Sequence, residues 1–325
     1  MMKPFMMKKT LGILAFTAAL ALSVAGTASA QSRVTFKSAK TGSSYYQMGV
    51  QIAEAMKAGT KGEVIVTIEE SQGSTQNVME AKARGGDYVF TSPPALITAA
   101  QQGKGPFKDK TDPKFNEIRA LFPIPSLTMH FVARSDKGIN SLADLQGKTL
   151  LLGKGSFGAT EGQKYLKLFG LEGKVKLADA ELSNAVAALK NGQIDAFVTA
   201  GSWPAPNVIE AAASTGVTVL SLSDAQIAQT KRDKLTIPAQ TYAGQKLAIN
   251  TTSLPVVAYA TTAMKDDLAY ALTKTFWQQK TSMSAGAPWW SGVDQSLLPT
   301  MAGKIHPGAL RYYKEVGFKL SPEQM

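Results

Sequence analysis

The sequence contains no cysteine and only two histidines, His130 and His306. The absence of cysteine excludes disulfide bonds, thiolate catalysis, an iron–sulfur cluster and a lipid anchor on cysteine. A metal site built on histidine is not expected either, and we predict no metal ion and no cofactor. His130 lies within an apolar run and His306 precedes a proline, so we expect both to make structural hydrogen bonds rather than to act as bases.

The sequence also lacks an apolar run of the roughly 20 residues that a membrane-spanning helix needs. Its longest uncharged apolar run, 11–25, follows Lys3, Lys8 and Lys9 and precedes Ala28-Ser29-Ala30. This pattern predicts a secretory signal peptide, residues 1–30, cleaved after Ala30. Removal of the three lysines lowers the formal net charge from +11 to +8. We therefore expect a mature protein in the periplasm.

The positive charge is not concentrated in one place. The densest lysine and arginine stretches, 104–114 and 231–234, carry no interleaved aromatic residues and match no nucleic-acid motif. We therefore interpret both stretches as solvated surface loops and expect no nucleic-acid partner.

The chain divides into two parts with the same alternation of strand, loop and helix. The pattern predicts strands at 34–38, 63–69, 88–91, 129–133, 148–152, 175–177 and 194–199. It predicts helices that begin near 46, 73 and 93 in the first part and near 159 and 183 in the second. The segments 83–90 and 189–197 share a helix end at glycine and an aspartate before the next strand. This alternation is typical of an α/β protein with mainly parallel sheets.

Two loops occupy matching places in the two parts. Thr41 to Ser44 follows the first strand, and Gly155 to Thr160 follows a strand of the second part. Ligands of open α/β sheets bind beyond the carboxyl ends of the strands, and helix N-termini favour anions. The two loops therefore predict a cleft that holds a small anion from both sides. Ordinary turn and capping chemistry is the alternative for each loop.

The loop Gly153-Lys154-Gly155-Ser156-Phe157-Gly158 also satisfies GxGxxG between a strand and a helix, and Asp179 follows after the next strand. This context is that of a dinucleotide fingerprint, so an exported NAD-dependent oxidoreductase is an alternative hypothesis. Export argues against it, because a secreted chain meets little NAD.

A family resemblance is carried by six segments, which are 41–49, 73–77, 139–148, 155–156, 192–204 and 306–315. In this order they resemble the TAXI family of solute-binding proteins, which serve TRAP (tripartite ATP-independent periplasmic) transporters. Three of them depart from the family pattern. Gln47 stands in the place of a proline, Gln76 stands in the place of a glutamate, and Gly155-Ser156 is not followed by the family's usual Gly-Thr. The final segment is the most specific of the six.

The resemblance implies a two-lobed clamp that binds a small carboxylated solute and delivers it to a TRAP membrane permease, with transport driven by an ion gradient. Glutamate and related dicarboxylates such as 2-oxoglutarate are the family's typical solutes. It implies no catalytic residues and no enzymatic activity. A ligand-sensing module for a membrane receptor would use the same clamp and is a further alternative. We expect a monomer.

The expected ligand-binding residues combine hydroxyl groups, backbone N–H groups, one amide and three aromatic walls. They are Thr41, Ser43, Ser44, Tyr45, Asn77, Ser92, Ser156, Phe157, Ala159, Thr160 and Trp203. Tyr46, by contrast, is expected in the core. Phe157-Gly158 departs from the family pattern and opens the possibility of a more apolar carboxylate. No arginine lies in these loops, and Arg134 is the remaining candidate for bidentate carboxylate binding.

The expected fold is a type II-like periplasmic-binding-protein fold, with each lobe a mainly parallel sheet flanked by helices and a hinge between lobes. We assign lobe I to 31–124 plus 250–325 and lobe II to 125–249. The expected crossings are Pro123-Ile124-Pro125 and 248–252, and the helix containing Leu268, Leu272 and Phe276 is expected to cover lobe I.

Overall fold

The computed structural model describes residues 1–2 and 31–325, so the predicted signal peptide lies largely outside the described residues. Ten strands form one continuous curled sheet. They are β1 (Ser32–Lys37), β2 (Val64–Glu69), β3 (Tyr88–Ser92), β4 (Ile118–Arg134), β5 (Thr149–Leu151), β6 (Lys176–Ala178), β7 (Ala196–Gly201), β8 (Val217–Val219), β9 (Asp233–Ile237) and β10 (Ile249–Thr261).

Nine α-helices flank this sheet within the described part of the chain. They are α1 (Ser44–Gly59), α2 (Ser74–Glu80), α3 (Pro94–Gln101), α4 (Phe157–Leu168), α5 (Ala185–Lys190), α6 (Pro206–Ser214), α7 (Asp224–Thr230), α8 (Asp266–Ser284) and α9 (Pro307–Glu315). Proline stands in the first turn of α3, α6 and α9, where its missing N–H costs no hydrogen bond. Within the described ranges no helix has the length and apolar character needed to cross a bilayer.

The two halves of the sheet repeat one strand order. The first half runs β2-β1-β3-β10-β4, and the second runs β6-β5-β7-β4 with β8 on the far side of β4. In each half the first three strands pair in parallel and the remaining pairs are antiparallel. The echoed segments 83–90 and 189–197 lead into β3 and β7, which hold equivalent places. The predicted two-lobed α/β fold is therefore confirmed. The expectation of a mainly parallel sheet in each lobe is not met, because the described strands form one mixed sheet with four parallel and five antiparallel pairs.

Two long strands, β4 and β10, run through both halves. The first part of β4 pairs with β10, and its last part, from Thr128, pairs also with β7. β10 pairs with β9 up to Ser253 and with β3 from Val257 onwards. A register irregularity between Leu254 and Val256 separates these two regions. Both long strands therefore change their neighbouring strands at the same height in the sheet, near the paired residues Thr128 and Ser253.

The core contains two clusters of buried side chains. The larger cluster includes residues of both halves, and the smaller one, with Val132, Leu151 and Phe197, belongs to the second half. Helix α8 packs Leu272 and Phe276 against the first half, as predicted, and Phe276 stacks on Phe122 with ring centroids 4.1 Å apart. The expectation that Tyr46 is a core residue is wrong, because its side chain is only half-buried and the neighbouring Tyr45 takes the buried position.

Candidate functional site

The N-termini of α1 and α4 lie on either side of the place where the two halves of the sheet meet. Between them is a small cavity of about 30 Å³, which we call the inner cavity. Four predicted site residues line it: Ser43, Tyr45, Ser156 and Phe157. Lining residues that the sequence analysis missed include Ser38, Lys40, Gly73, Ser74, Thr91, Leu127, Leu182, Ala200 and Val256.

The two serines that begin these helices play the same local role. Ser43 Oγ accepts a hydrogen bond from Tyr46 N at 3.2 Å, and Ser156 Oγ accepts one from Ala159 N at 3.0 Å. Each hydroxyl also donates to a nearby carbonyl, Ser43 to Lys40 O and Ser156 to Leu152 O. Both side chains are buried N-caps. The capping chemistry left open as an alternative is thus present in both loops.

The other two residues of the first loop point in different directions. Thr41 is exposed and its hydroxyl donates to Glu70 Oε2 at 3.0 Å. Ser44 is 1% exposed, and its hydroxyl has no hydrogen-bond partner among the described residues. It lies against Gly201 at the end of β7, where an added Cβ would be 1.6 Å from Ser44 Oγ. A glycine at position 201 is therefore what permits this approach between the two halves.

Asn77 and Ser92 face the protein rather than the inner cavity. The Asn77 amide donates to the carbonyls of Lys37, Ser38 and Thr91, and so joins β1 to β3 from α2. The Ser92 hydroxyl donates to Pro93 O. Both residues are fully buried.

Of the three aromatic candidates, two line the inner cavity and one packs in the core. Tyr45 lines the inner cavity and its hydroxyl donates to Pro125 O, while burial raises its pKa well above the usual value. Phe157 is half-buried, lies at the first position of α4, and faces Gly73 of the first half. Trp203 packs instead on the smaller core cluster.

Two larger cavities adjoin the inner one. Gly153–Ser156 with Ala159 and Thr160 border a cavity of about 430 Å³. A second one, of about 460 Å³, is lined from the first half by Gly73, Ser74 and Leu96 and from the second by Phe157 and Thr160, among others. We call this second one the outer pocket. Phe157, Gly73 and Ser74 line both it and the inner cavity.

Lys40 joins the two halves electrostatically. Its ammonium lies 3.3 Å from Glu70 Oε1 and 3.3 Å from Glu181 Oε2, and its side chain is 13% exposed. Burial opposes its charge, but the hydrogen bonds and charges of the two carboxylates outweigh burial and raise its pKa. The sequence signal was weak, since a lysine after a strand is usually solvated. Arg134, the predicted arginine candidate, instead binds Asp136 and the carbonyls of Leu189 and Lys190.

The GxGxxG loop also serves contact between the halves. Gly155 has a positive φ of 70°, and an added Cβ would lie 2.2 Å from Gln72 Oε1 of the first half. Asp179 pairs with Lys154 at 3.0 Å. These contacts explain the loop glycine and the aspartate by packing and charge pairing.

The two histidines make structural hydrogen bonds, as expected. His130 Nδ1 lies 3.1 Å from Thr128 O, which can only accept, so this nitrogen carries the proton and Tyr242 OH donates to Nε2 at 2.8 Å. Burial lowers the His130 pKa to about 4. His306 is the N-cap of α9, and its Nε2 bonds Met264 O. Among residues 1–2 and 31–325, no group of three or more metal-ligating His, Cys, Asp or Glu side chains occurs.

Solved structures share this fold at low sequence identity. The periplasmic binding protein BugD matches with a TM-score of 0.52 and 10% identity, over 89% of this chain and 99% of its own. MatC from Rhodopseudomonas palustris, solved with bound malate, matches with a TM-score of 0.53 and 11% identity, over 83% and 97%. A structure titled as a periplasmic transporter gives 0.53 and 9% identity, over 88% and 92%.

These likenesses confirm the fold, which is that of periplasmic binding proteins. A sequence model described as the NMT1-like family matches residues 36–317. That range contains every candidate site residue and all of the sheet except the first four residues of β1. The chain therefore belongs to the NMT1-like family.

Proposed function

We propose that this protein is a periplasmic solute-binding protein that captures a small carboxylated solute between two lobes and delivers it to a membrane permease. The observation that carries the proposal is the meeting of two capped helix N-termini, those of α1 and α4, across one cleft of a binding-protein fold. Helix N-termini favour anions. The malate bound in the MatC structure supports a carboxylate as the class to test first.

The resemblance of six sequence segments favours a permease of the TRAP type and the TAXI subfamily. In this proposal the protein performs no chemistry, works as a monomer and reaches the periplasm through cleavage after Ala30. The lobes are 31–124 plus 250–325 and 125–249. The change of strand partners on β4 supports the hinge expected at Pro123-Ile124-Pro125. On β10 the change falls between Ser253 and Val257, just beyond the expected crossing at 248–252, so we propose the second hinge near Pro255.

Closure provides the mechanism. The described arrangement brings Ser44 to Gly201 and Lys40 to Glu181, contacts that join the halves. A solute that contacts both lobes binds the closed form more tightly than the open form, and so shifts the population towards it. The closed form then presents one surface to the permease.

A calorimetric titration and a thermal-shift panel test this function. The panel contains dicarboxylates, amino acids, aromatic and aliphatic monocarboxylates, and NAD. A solute present at one hundred times its Kd stabilises the folded state by about 2.7 kcal/mol. We expect stabilisation by a carboxylate, with a smaller radius of gyration in solution scattering. Stabilisation by NAD alone, or by none of these compounds, contradicts the proposal.

A further inference from the structure

The outer pocket is a cavity between the halves with a mostly apolar lining. Leu254 of β10, Leu96 of α3, Pro106 and Phe157 provide apolar walls, and the three side chains Leu96, Phe157 and Leu254 also pack on the main core. Its volume of about 460 Å³ falls in the range of roughly 300–1,000 Å³ typical of small-molecule sites.

One wall of this pocket carries an unbalanced charge. Glu161 of α4 has a side chain only 3% exposed, and it accepts hydrogen bonds from Arg232 Nη2 at 3.1 Å and from Lys164 Nζ at 2.5 Å. Arg232 engages both carboxylate oxygens. Glu161, Lys164 and Arg232 are the charged residues that line the pocket in the described part of the chain. Two cations share one carboxylate, so the wall has a net charge of one positive.

The inner cavity is much smaller. At about 30 Å³ it has room for two or three water molecules at most, since a water needs about 10–15 Å³ of such volume. Phe157 stands between the two spaces and lines both. Its position at the start of α4 is fixed by the Ser156 cap. The body of a solute therefore finds space on the outer side of the Phe157 ring.

We propose that the outer pocket is the main solute compartment, that it selects an apolar monocarboxylate over a dicarboxylate, and that Phe157 limits the length accepted. This inference rests on the proposed function and names its substrate class. A single carboxylate matches the single net charge that Lys164 and Arg232 leave beside Glu161. The inference keeps the cleft and the carboxylate class, but it moves the carboxylate from the helix N-termini beside the inner cavity to this wall of the outer pocket. A second carboxylate would find no second cation in the described lining, where the other polar side chains, Gln72, Ser74, Thr75 and Thr160, are uncharged. Burial of an unpaired charge is strongly unfavourable.

The first test measures Kd by calorimetry for hexanoate and 3-phenylpropanoate against glutarate and 2-oxoglutarate. We expect the monocarboxylates to bind at least tenfold more tightly. Lys164→Gln removes the net charge and should weaken their binding by roughly three- to tenfold, because the lysine is partly exposed and screened. Lys167→Gln makes the same charge change one turn further along α4, outside the lining of the outer pocket, and should stay within about twofold.

The outcomes separate the two proposals. Tighter binding of glutarate or 2-oxoglutarate, or equal effects of the two lysine variants, overturns the outer-pocket inference and leaves the carboxylate-binding function in place. Binding of none of the four probes overturns this inference, and a panel in which no carboxylate stabilises the protein overturns the function as well.

A second test concerns length. Phe157→Ala joins the inner cavity to the outer pocket, so the best binder in a series from butanoate to decanoate should become longer by two or more carbons. Phe169→Ala, at the other end of α4 and outside the lining of both spaces, should leave the optimum unchanged. An optimum that does not move in the folded Phe157→Ala protein contradicts the role of Phe157.

Discussion

The two helices that meet at the cleft share a serine N-cap but have different first residues. Ser43 caps α1 and Ser156 caps α4, but the next residue is Ser44 in one helix and Phe157 in the other. Ser44 is small enough to be buried against Gly201, whereas Phe157 remains half-buried between two cavities. Equivalent backbone positions thus make a tight contact in one lobe and a cavity wall in the other. The repeated fold supplies the frame, and one side chain decides what it encloses.

The lobes also differ in how their aromatic residues are arranged. Phe276 stacks on Phe122 and lies 5.0 Å from Trp290, while Phe197 of the second half lies in a cluster of mainly aliphatic side chains. Alanine at either position should lower the free energy of unfolding by about 3–5 kcal/mol. Phe276→Ala should cost about 1 kcal/mol more, because aromatic pairing adds to burial. Urea denaturation measures both, and equal losses would remove this distinction between lobes.

Each lobe holds a buried histidine, and acid should affect them unequally. Burial lowers the His130 pKa to about 4, below its usual value of about 6.5, so the unfolded chain binds more protons between these pH values. The contribution of neutral His130 to the free energy of unfolding is complete above pH 6.5. It decreases as the pH falls, and about 3 kcal/mol is lost at pH 4. Burial also lowers the pKa of His306, but the negative charge of Asp266 opposes that effect.

The measurement is the free energy of unfolding from pH 7 to pH 4 for the wild type and two variants. His130→Gln should flatten this pH dependence more than His306→Gln does. A larger effect of the His306 variant would contradict the assignment of His130 as the more strongly desolvated group.

The Ser44–Gly201 contact can be broken and restored. Gly201→Ala places a methyl group on Ser44 and should disfavour the approach by roughly 1–3 kcal/mol, equivalent to about five- to 150-fold weaker solute binding. Adding Ser44→Gly should restore most of the loss. Gly286→Ala, where an added Cβ meets nothing within 4 Å, serves as the control. Failure of the double variant to recover would show that the clash is not the cause.

The smallest expected effect concerns the charge contact between lobes. Lys40→Met removes the pairing with Glu70 and Glu181 and should shift closure by about 0.2–1 kcal/mol, because both carboxylates are nearly half-exposed. Lys154→Met breaks a pair within the second half and should not change closure. Scattering at low and high salt distinguishes them, since only the Lys40 contribution to closure should fall with added salt.

The sequence predicted most elements of the fold, and its errors have local causes. The expected strand 129–133 is the end of β4, which begins at Ile118. Pro123 and Pro125 suggested a break, but this part of β4 pairs mainly with β10 on one side, where an edge strand tolerates proline. Helix α2 ends at Glu80 rather than near the two glycines, because residues 81–83 and 86–87 form turns.

Local patterns alone determined the alternation of strands and helices, the repeated halves and the capping serines, because these depend on neighbours within a few residues. Only the tertiary structure decided which of those residues line the cavities between the halves. The amide of Asn77 donates hydrogen bonds to carbonyls up to 40 residues away, and Lys40 pairs with a carboxylate 141 positions later in the chain. Phe157 separates the inner cavity from the outer pocket because the start of α4 faces Gly73 across the cleft. Such contacts arise from the packing of distant segments, which the local sequence pattern does not encode.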